Sequence, residues 1–187
     1  MRIEVNVPDG ASGPWQVSTF TVTDAAAKSF NLRAAFQPGC RTIRPGTYKQ
    51  LTRKGKIIMS NTPAEIRDHL SFIWKAKKGK NILINGLGVA LTEILKSDVV
   101  EKVTIIEKSQ DVIKLTAPTF LDDPRVEIIH ADAFEWKPPK GARYDAVWHD
   151  IWDNICSNNL PEMTKLHRKY GKRTDWQGSW CKELCKR

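Results

Sequence analysis

Four short apolar runs, Ile82-Leu83-Ile84, Val103-Thr104-Ile105-Ile106, Val126-Glu127-Ile128-Ile129 and Ala146-Val147-Trp148, follow one another between residues 81 and 150. A nearly continuous apolar run of this length suits a strand buried on both faces, as in a parallel sheet. The spacing predicts strands over 81–85, 102–107, 125–130 and 144–150, with helices over 89–95 and 109–119. Strands alternating with helices require right-handed crossovers that cover both faces of the sheet. The expected class is therefore α/β, with a Rossmann-like parallel sheet.

The flanks read differently. The first 60 residues form a small β-rich N-terminal region. Residues 2–7 alternate in strand fashion and stop at Pro8-Asp9-Gly10, and residues 15–23 are rich in Val, Thr and Phe. Phe36-Gln37-Pro38-Gly39 and Arg44-Pro45-Gly46 are turn signals, and two strands are expected over 47–52 and 56–60. At Asn61-Thr62-Pro63 a helix starts, and Ile66, Leu70, Ile73 and Trp74 follow at helical spacing. Residues 159–187 read as one or two helices, with Gly171 as a stop. The division expected is 1–60 for the β-rich region and 61–187 for the parallel-sheet domain with a helical tail.

Hydrophobic residues make up 41% of the chain and charged residues 27%, a globular balance that argues against disorder. No apolar run approaches the ~20 residues that span a bilayer. The N-terminus lacks a signal-peptide pattern, so a cytoplasmic location is expected. Cys40, Cys156, Cys181 and Cys185 show no zinc-finger spacing and read as free thiols. His130 and His149 fall near strand ends without a third ligand, so no metal is expected. His69 and His167 fall on predicted helices and are expected at the surface.

The formal charge of +9 is uneven. Residues 41–80 carry 11 Lys and Arg against 2 Asp and Glu, and residues 155–187 carry 8 against 3, whereas residues 81–154 carry 8 against 13. Basic flanks around an acidic centre suit a polyanion such as nucleic acid; a solvated lysine-rich surface is the other reading. Trp176 and Trp180, interleaved with Lys169, Lys172 and Arg173, are open to the same pair of readings: a stacking surface for single-stranded nucleic acid, or a tail packed on the sheet.

Signals for chemistry fall at the C-terminal ends of the four predicted strands, the edge where open α/β sheets bind ligands. Asn85-Gly86-Leu87-Gly88 joins a strand to a helix, and glycine allows a close backbone approach to a ligand. Glu107, with Lys108 beside it, ends the second strand, where a carboxylate can accept from both ribose hydroxyls. Asp132 follows the third strand and can accept from an adenine amine, with Ala133 and Phe134 as apolar contacts; alternatively it caps the next turn. Asp150-Ile151-Trp152-Asp153 follows the fourth, with His149 alongside, and faces the reacting end of such a ligand.

The stretch from Ile82 to Asp153, with NGLGVA, TIIE, HADAF and YDAVWHDIWD, resembles the class I S-adenosylmethionine-dependent methyltransferases, nearest to the spermidine-synthase-like branch. The resemblance implies an abbreviated class I methyltransferase fold that binds S-adenosylmethionine. Cofactor contacts would come from Asn85, Gly86, Leu87, Gly88, Glu107, Lys108, Asp132, Ala133 and Asp150. Asp150 and Asp153 match that branch's D-x-x-D loop, and Asp150 would be the base, with His149 and Asp153 as catalytic neighbours. A homodimer is implied by resemblance alone. The glycine turn is plainer than the polyamine enzymes', Asn154 stands where they have Pro, and little sequence remains for a fifth parallel strand and the hairpin after it. Three functions stay open: methyl transfer to an unknown acceptor, aminopropyl transfer or another use of the cofactor, and a non-catalytic cofactor- or nucleic-acid-binding module.

Overall fold

The computed structural model describes residues 3–37 and 40–186. Its centre is a five-stranded parallel sheet built from β5 (Asn81–Asn85), β6 (Lys102–Glu107), β7 (Val126–His130), β8 (Tyr144–His149) and β9 (Thr174–Ser179), ordered β7-β6-β5-β8-β9. The apolar runs explain the arrangement. Ile82, Ile84, Val103, Ile105, Ala146 and Trp148 join one core cluster, while Leu83, Ile106 and Val147 join a second one. The runs of β5, β6 and β8 are therefore consumed by burial on two faces, as a doubly covered sheet requires, while the outer strand β7 packs Val126, Ile128 and Ile129 half-buried against the same clusters.

The chain order reverses between β5 and β8. Strand order runs outward in one direction through β6 and β7, then in the other through β8 and β9. The strand ends flanking such a reversal diverge and leave a crevice.

Helix α2 (Pro63–Ala76) has Pro at its first turn and buries Ile66, His69, Phe72, Ile73 and Ala76 on one stripe. Phe72 stacks on Trp148 with ring centroids 5.2 Å apart and planes 3° apart, and Trp148 stacks in turn on Trp176 at 6.2 Å. Helices α3 (Ala90–Ile94) and α4 (Gln110–Thr116) follow β5 and β6. The Ser109 hydroxyl caps α4 by accepting from the Val112 amide at 3.3 Å. On the second face, α5 (Leu160–Tyr170) buries Met163, Leu166 and Tyr170. A short α6 (Lys182–Cys185) completes the described chain.

A second, antiparallel sheet comes from the N-terminal region: β1 (Gly10–Ser12), β2 (Trp15–Val22), β3 (Gly46–Arg53) and β4 (Lys56–Ser60), in that order. It docks on the first through β1 and α4, where the Ser12 hydroxyl donates to Asp111 at 2.7 Å.

Four expectations need correction. Residues 3–9 form no strand, although Ile3 and Val7 are buried; the Asn61 side chain donates from Nδ2 to the Ile3 carbonyl at 3.0 Å, so the segment is pinned without a partner strand. Arg2 of that expected strand, and Pro38-Gly39 of the expected turn, lie outside the described residues. Helix α1 (Asp24–Ala34) stands where no element is expected, started by the Thr23 hydroxyl accepting from the Ala26 amide. The tail is not purely helical: β9 is the fifth parallel strand, polar because it pairs on one edge only. His69 is 1% exposed rather than on the surface, because α2 turns it inward against Trp148.

Candidate functional site

A cavity of about 550 Å³ opens at the C-terminal ends of β5, β6, β7 and β8 and is roofed by the antiparallel sheet. Gly86, Leu87, Glu107, Lys108, Asp132, Ala133, Asp150 and Asp153 all line it. Trp15, Arg53 and Met59 reach it from the roof.

The glycine turn is shaped by close backbone contacts. Gly86 adopts φ +97°, and its amide donates to the Ile106 carbonyl at 2.8 Å. A Cβ at Gly86 would overlap the Asp150 carbonyl oxygen, so a side chain fails on two counts. The Asp150 amide donates to the Asn85 carbonyl at 2.8 Å, which ties the fourth strand's loop to this turn.

Glu107 joins the turn to α4. One carboxylate oxygen accepts from the Leu87 amide at 3.0 Å, the other from the Ser109 amide at 2.7 Å. Burial pushes its pKa upward, against the pull of these amides. Asp132 accepts from Lys108 Nζ at 2.8 Å and from the Phe134 amide at 2.8 Å. The Lys108 bond, then the amide, hold its carboxyl below the ordinary range. Lys169 donates to the Ala133 and Phe134 carbonyls at 2.8 and 2.9 Å, fixing the loop from α5.

Asp150 and Asp153 differ sharply. Asp153 forms an ion pair with Arg53, whose guanidinium lies 5.3 Å over the Trp15 ring. Asp150 is almost fully buried, with its side chain 8% exposed. Burial first, then Glu65, Asp68 and Glu107, push its pKa well above the ordinary carboxylate value. Glu65, on the first turn of α2, is pushed up to about 7 by burial, although Ser60 donates to it from both its amide and its hydroxyl. The Trp152 indole donates to Glu162 at 2.7 Å on the same wall.

Three of the expected residues lie elsewhere. Asn85 and His149 are fully buried and do not line the cavity. Asn85 Nδ2 sits 2.7 Å from His149 Nδ1, and His149 Nε2 sits 3.4 Å from Gln177 Oε1. Burial pulls the His149 pKa down to about 3, so the ring is neutral, packed between Tyr170 and His167. Gly88 faces a smaller apolar recess against Met59, and a Cβ there would lie 3.2 Å from Asp150 Oδ2. The Trp176 and Trp180 side chains pack into the core rather than forming a stacking face.

Sequence reasoning missed the contributions of Trp15, Arg53, Met59, Glu65, His69 and Trp180. Glu65 was legible only as a first-turn acid favourable to a helix start. The roof residues carry no local signal, because the antiparallel sheet must first be docked. Among the described residues, no helix is long and apolar enough to cross a membrane.

Residues 64–164 match the family described as ribosomal RNA adenine dimethylase, which is over half of the chain. Over 120 residues the chain is 38% identical to polyamine aminopropyltransferase 1 of Streptomyces coelicolor, a stretch covering 57% of this chain and 21% of that protein. A crystal structure of spermidine synthase with a transition-state analogue superposes with a TM-score of 0.53 at 19% identity, covering 92% of this chain and 55% of that one. The likeness includes the roofing sheet as well as the parallel one, since it takes in nearly the whole chain. With its cavity at the reversal of a parallel sheet and a class I methyltransferase fold resembling spermidine synthase, the chain belongs to the ribosomal RNA adenine dimethylase family.

Proposed function

We propose that this chain binds S-adenosylmethionine in the 550 Å³ cavity and transfers its methyl group to an acceptor. The carrying observation is convergence: Gly86, Glu107, Asp132 and Asp150, from four different strand ends, line one cavity. The site passes a test of fit. Gly86 lines the cavity without a side chain, so its backbone can approach a ligand closely. The Glu107 carboxylate accepts backbone amides from the turn and from the start of α4 and keeps lone-pair capacity for a ribose hydroxyl. Asp132 stands beside Ala133 and Phe134, a carboxylate next to apolar surface that suits an adenine edge and face.

When bound, the cofactor supplies an electrophilic methyl on a sulfonium. The chain's own residues orient it, exclude water beneath the roof and receive the acceptor's proton at Asp150. In this reading residues 1–60 act as the cover, residues 61–187 as the cofactor-binding portion, and the protein works in the cytoplasm. The family description supports testing an RNA adenine as acceptor.

A second reading, aminopropyl transfer from decarboxylated cofactor, is supported by the similarity to the Streptomyces protein and by the carboxylates around Asp150. Incubation with decarboxylated cofactor and putrescine separates the two.

Calorimetric titration with S-adenosylmethionine tests the main reading. Wild type should bind. Asp132→Asn should bind roughly ten-fold or more weakly, because it loses a charged acceptor. Absence of heat and of thermal shift at millimolar S-adenosylmethionine would end the methyl-transfer reading, and the same result with decarboxylated cofactor would end the second.

A further inference from the structure

Six carboxylates line the cavity against two cations, Arg53 and Lys108. Both cations are already engaged, Arg53 with Asp153 and Lys108 with Asp132. Glu107 is held by backbone amides and Glu162 by an indole. That leaves Asp150 and Glu65 on one wall with no cation bonded to either among the described residues.

The surroundings of Asp150 sharpen this. The charges that act on it are Glu65 and Asp68 from α2 and Glu107 from the end of β6, all negative. Arg41 is the cation that acts on Glu65 and His69, and its guanidinium is paired with Asp68. His69 approaches from α2 with Nε2 at 3.9 Å from Asp150 Oδ2, too far for a hydrogen bond. The ring is 1% exposed, and neither nitrogen has a hydrogen-bond partner among the described residues. Burial and Arg41 pull its pKa down to about 4, so it is a neutral neighbour rather than a counter-ion.

We propose that Asp150, with Glu65 behind it, reads the charge at the reacting end of the ligand: a sulfonium cation is taken up with release of a proton from Asp150, and a neutral thioether is taken up without it. The inference rests on the cofactor reading above. Burial and the three neighbouring carboxylates shift Asp150 toward its protonated, neutral form when no cation is near. A positive charge in the cavity reverses that preference, since opposite charges attract strongly in a site of low polarity. Glu65, already poised at about 7, follows the same logic.

The cycle balances. On binding, the Asp150 carboxyl loses its proton to solvent and faces the sulfonium as a carboxylate. In the transfer step the acceptor's lone pair forms the new bond to the methyl carbon, the carbon–sulfur bond electrons return to sulfur, and the acceptor's proton passes to Asp150. The neutral thioether is then left beside a protonated, neutral Asp150. One proton is released overall, at the binding step, and the electrostatic attraction that held the substrate is gone from the product.

The test compares S-adenosylmethionine with S-adenosylhomocysteine by calorimetry between pH 6 and pH 8, each in two buffers of different ionisation enthalpy. The two ligands share their adenosine, ammonium and carboxylate and differ at sulfur, so the difference isolates the sulfonium. The methionine compound should release protons on binding, and its affinity should rise with pH by up to about ten-fold per unit for one proton released. The homocysteine compound should show neither effect. In Asp150→Asn the proton release should fall sharply and the pH dependence flatten, while retained homocysteine-compound binding shows that the variant is folded. Equal proton release for the two ligands, or none for either while both bind, would overturn the inference and leave the cofactor reading intact. Failure of both ligands to bind would remove the cofactor reading and the inference with it.

Discussion

Replacing Glu65 with Gln should make the unliganded protein more stable at pH 8 and leave it nearly unchanged at pH 4.5. The Glu65 carboxyl moves from an ordinary 4.5 to about 7 on folding, mainly through burial. A folded-state pKa above the unfolded value means that the stabilising contribution is fully present below pH 4.5 and is lost as pH rises through about 7. The difference of the two values corresponds to about 3 kcal/mol between the protonated and ionised fold. Gln keeps an acceptor for the Ser60 amide and hydroxyl but cannot ionise. It also removes a negative charge that acts on Asp150. The variant should therefore gain up to about 3 kcal/mol over wild type by pH 8, or roughly 6–12 °C in melting temperature for a chain of this size. Chemical denaturation of both proteins at pH 4.5, 6, 7 and 8 measures it. His69 and His149 titrate in both proteins, so their contribution largely cancels in the difference. A variant-minus-wild-type difference that stays flat across this range would refute the argument that Glu65 is buried without a cation.

Two further variants probe the frame around the site. Gly86→Ala should cost on the order of 3 kcal/mol or more, because a Cβ at φ +97° collides with the Asp150 carbonyl; thermal unfolding checks it, and an unchanged melting temperature would mean the turn is built differently. Phe72→Ala should cost roughly 3–5 kcal/mol, since it removes a fully buried ring from the stack with Trp148, while cofactor affinity of the folded fraction stays near wild type because Phe72 does not line the cavity.

What the sequence shows about this fold depends on how each element is stabilised. Strands β5, β6 and β8 are legible because their side chains are spent on burial, and burial writes apolar runs; β7 is legible from Val126, Ile128 and Ile129, which are half-buried. Strand β9 is not, because TDWQGS gains its place through backbone pairing to β8 along one edge, and backbone bonds leave no residue pattern. Helix α1 buries only Ala27 and Ala34, so its periodicity is too faint to read beyond the Thr23 cap. Residues 3–7 misled in the opposite sense: Ile3 and Val7 are buried, but no neighbouring strand completes a ladder. At the site, Gly86, Glu107, Asp132 and Asp150 are recognisable because strand ends bring them together in chain order. His149 adjoins Asp150 in sequence, yet alternation along β8 sends its ring to Tyr170 and α5. Glu65 and His69 come from a helix before the sheet, and only its docking against Trp148 brings them to Asp150.

The cavity has a floor from one sheet and a roof from the other, with Trp15 and Arg53 above and Gly86 and Asp132 below. Any molecule that fills it stitches the two layers together, so its binding free energy also restrains their separation. Amide hydrogen exchange should record this unevenly. Protection on ligand addition should grow most in β2 and β3, whose opening breaks contacts to the ligand, and least in β5 and β6, which are already locked by burial on both faces.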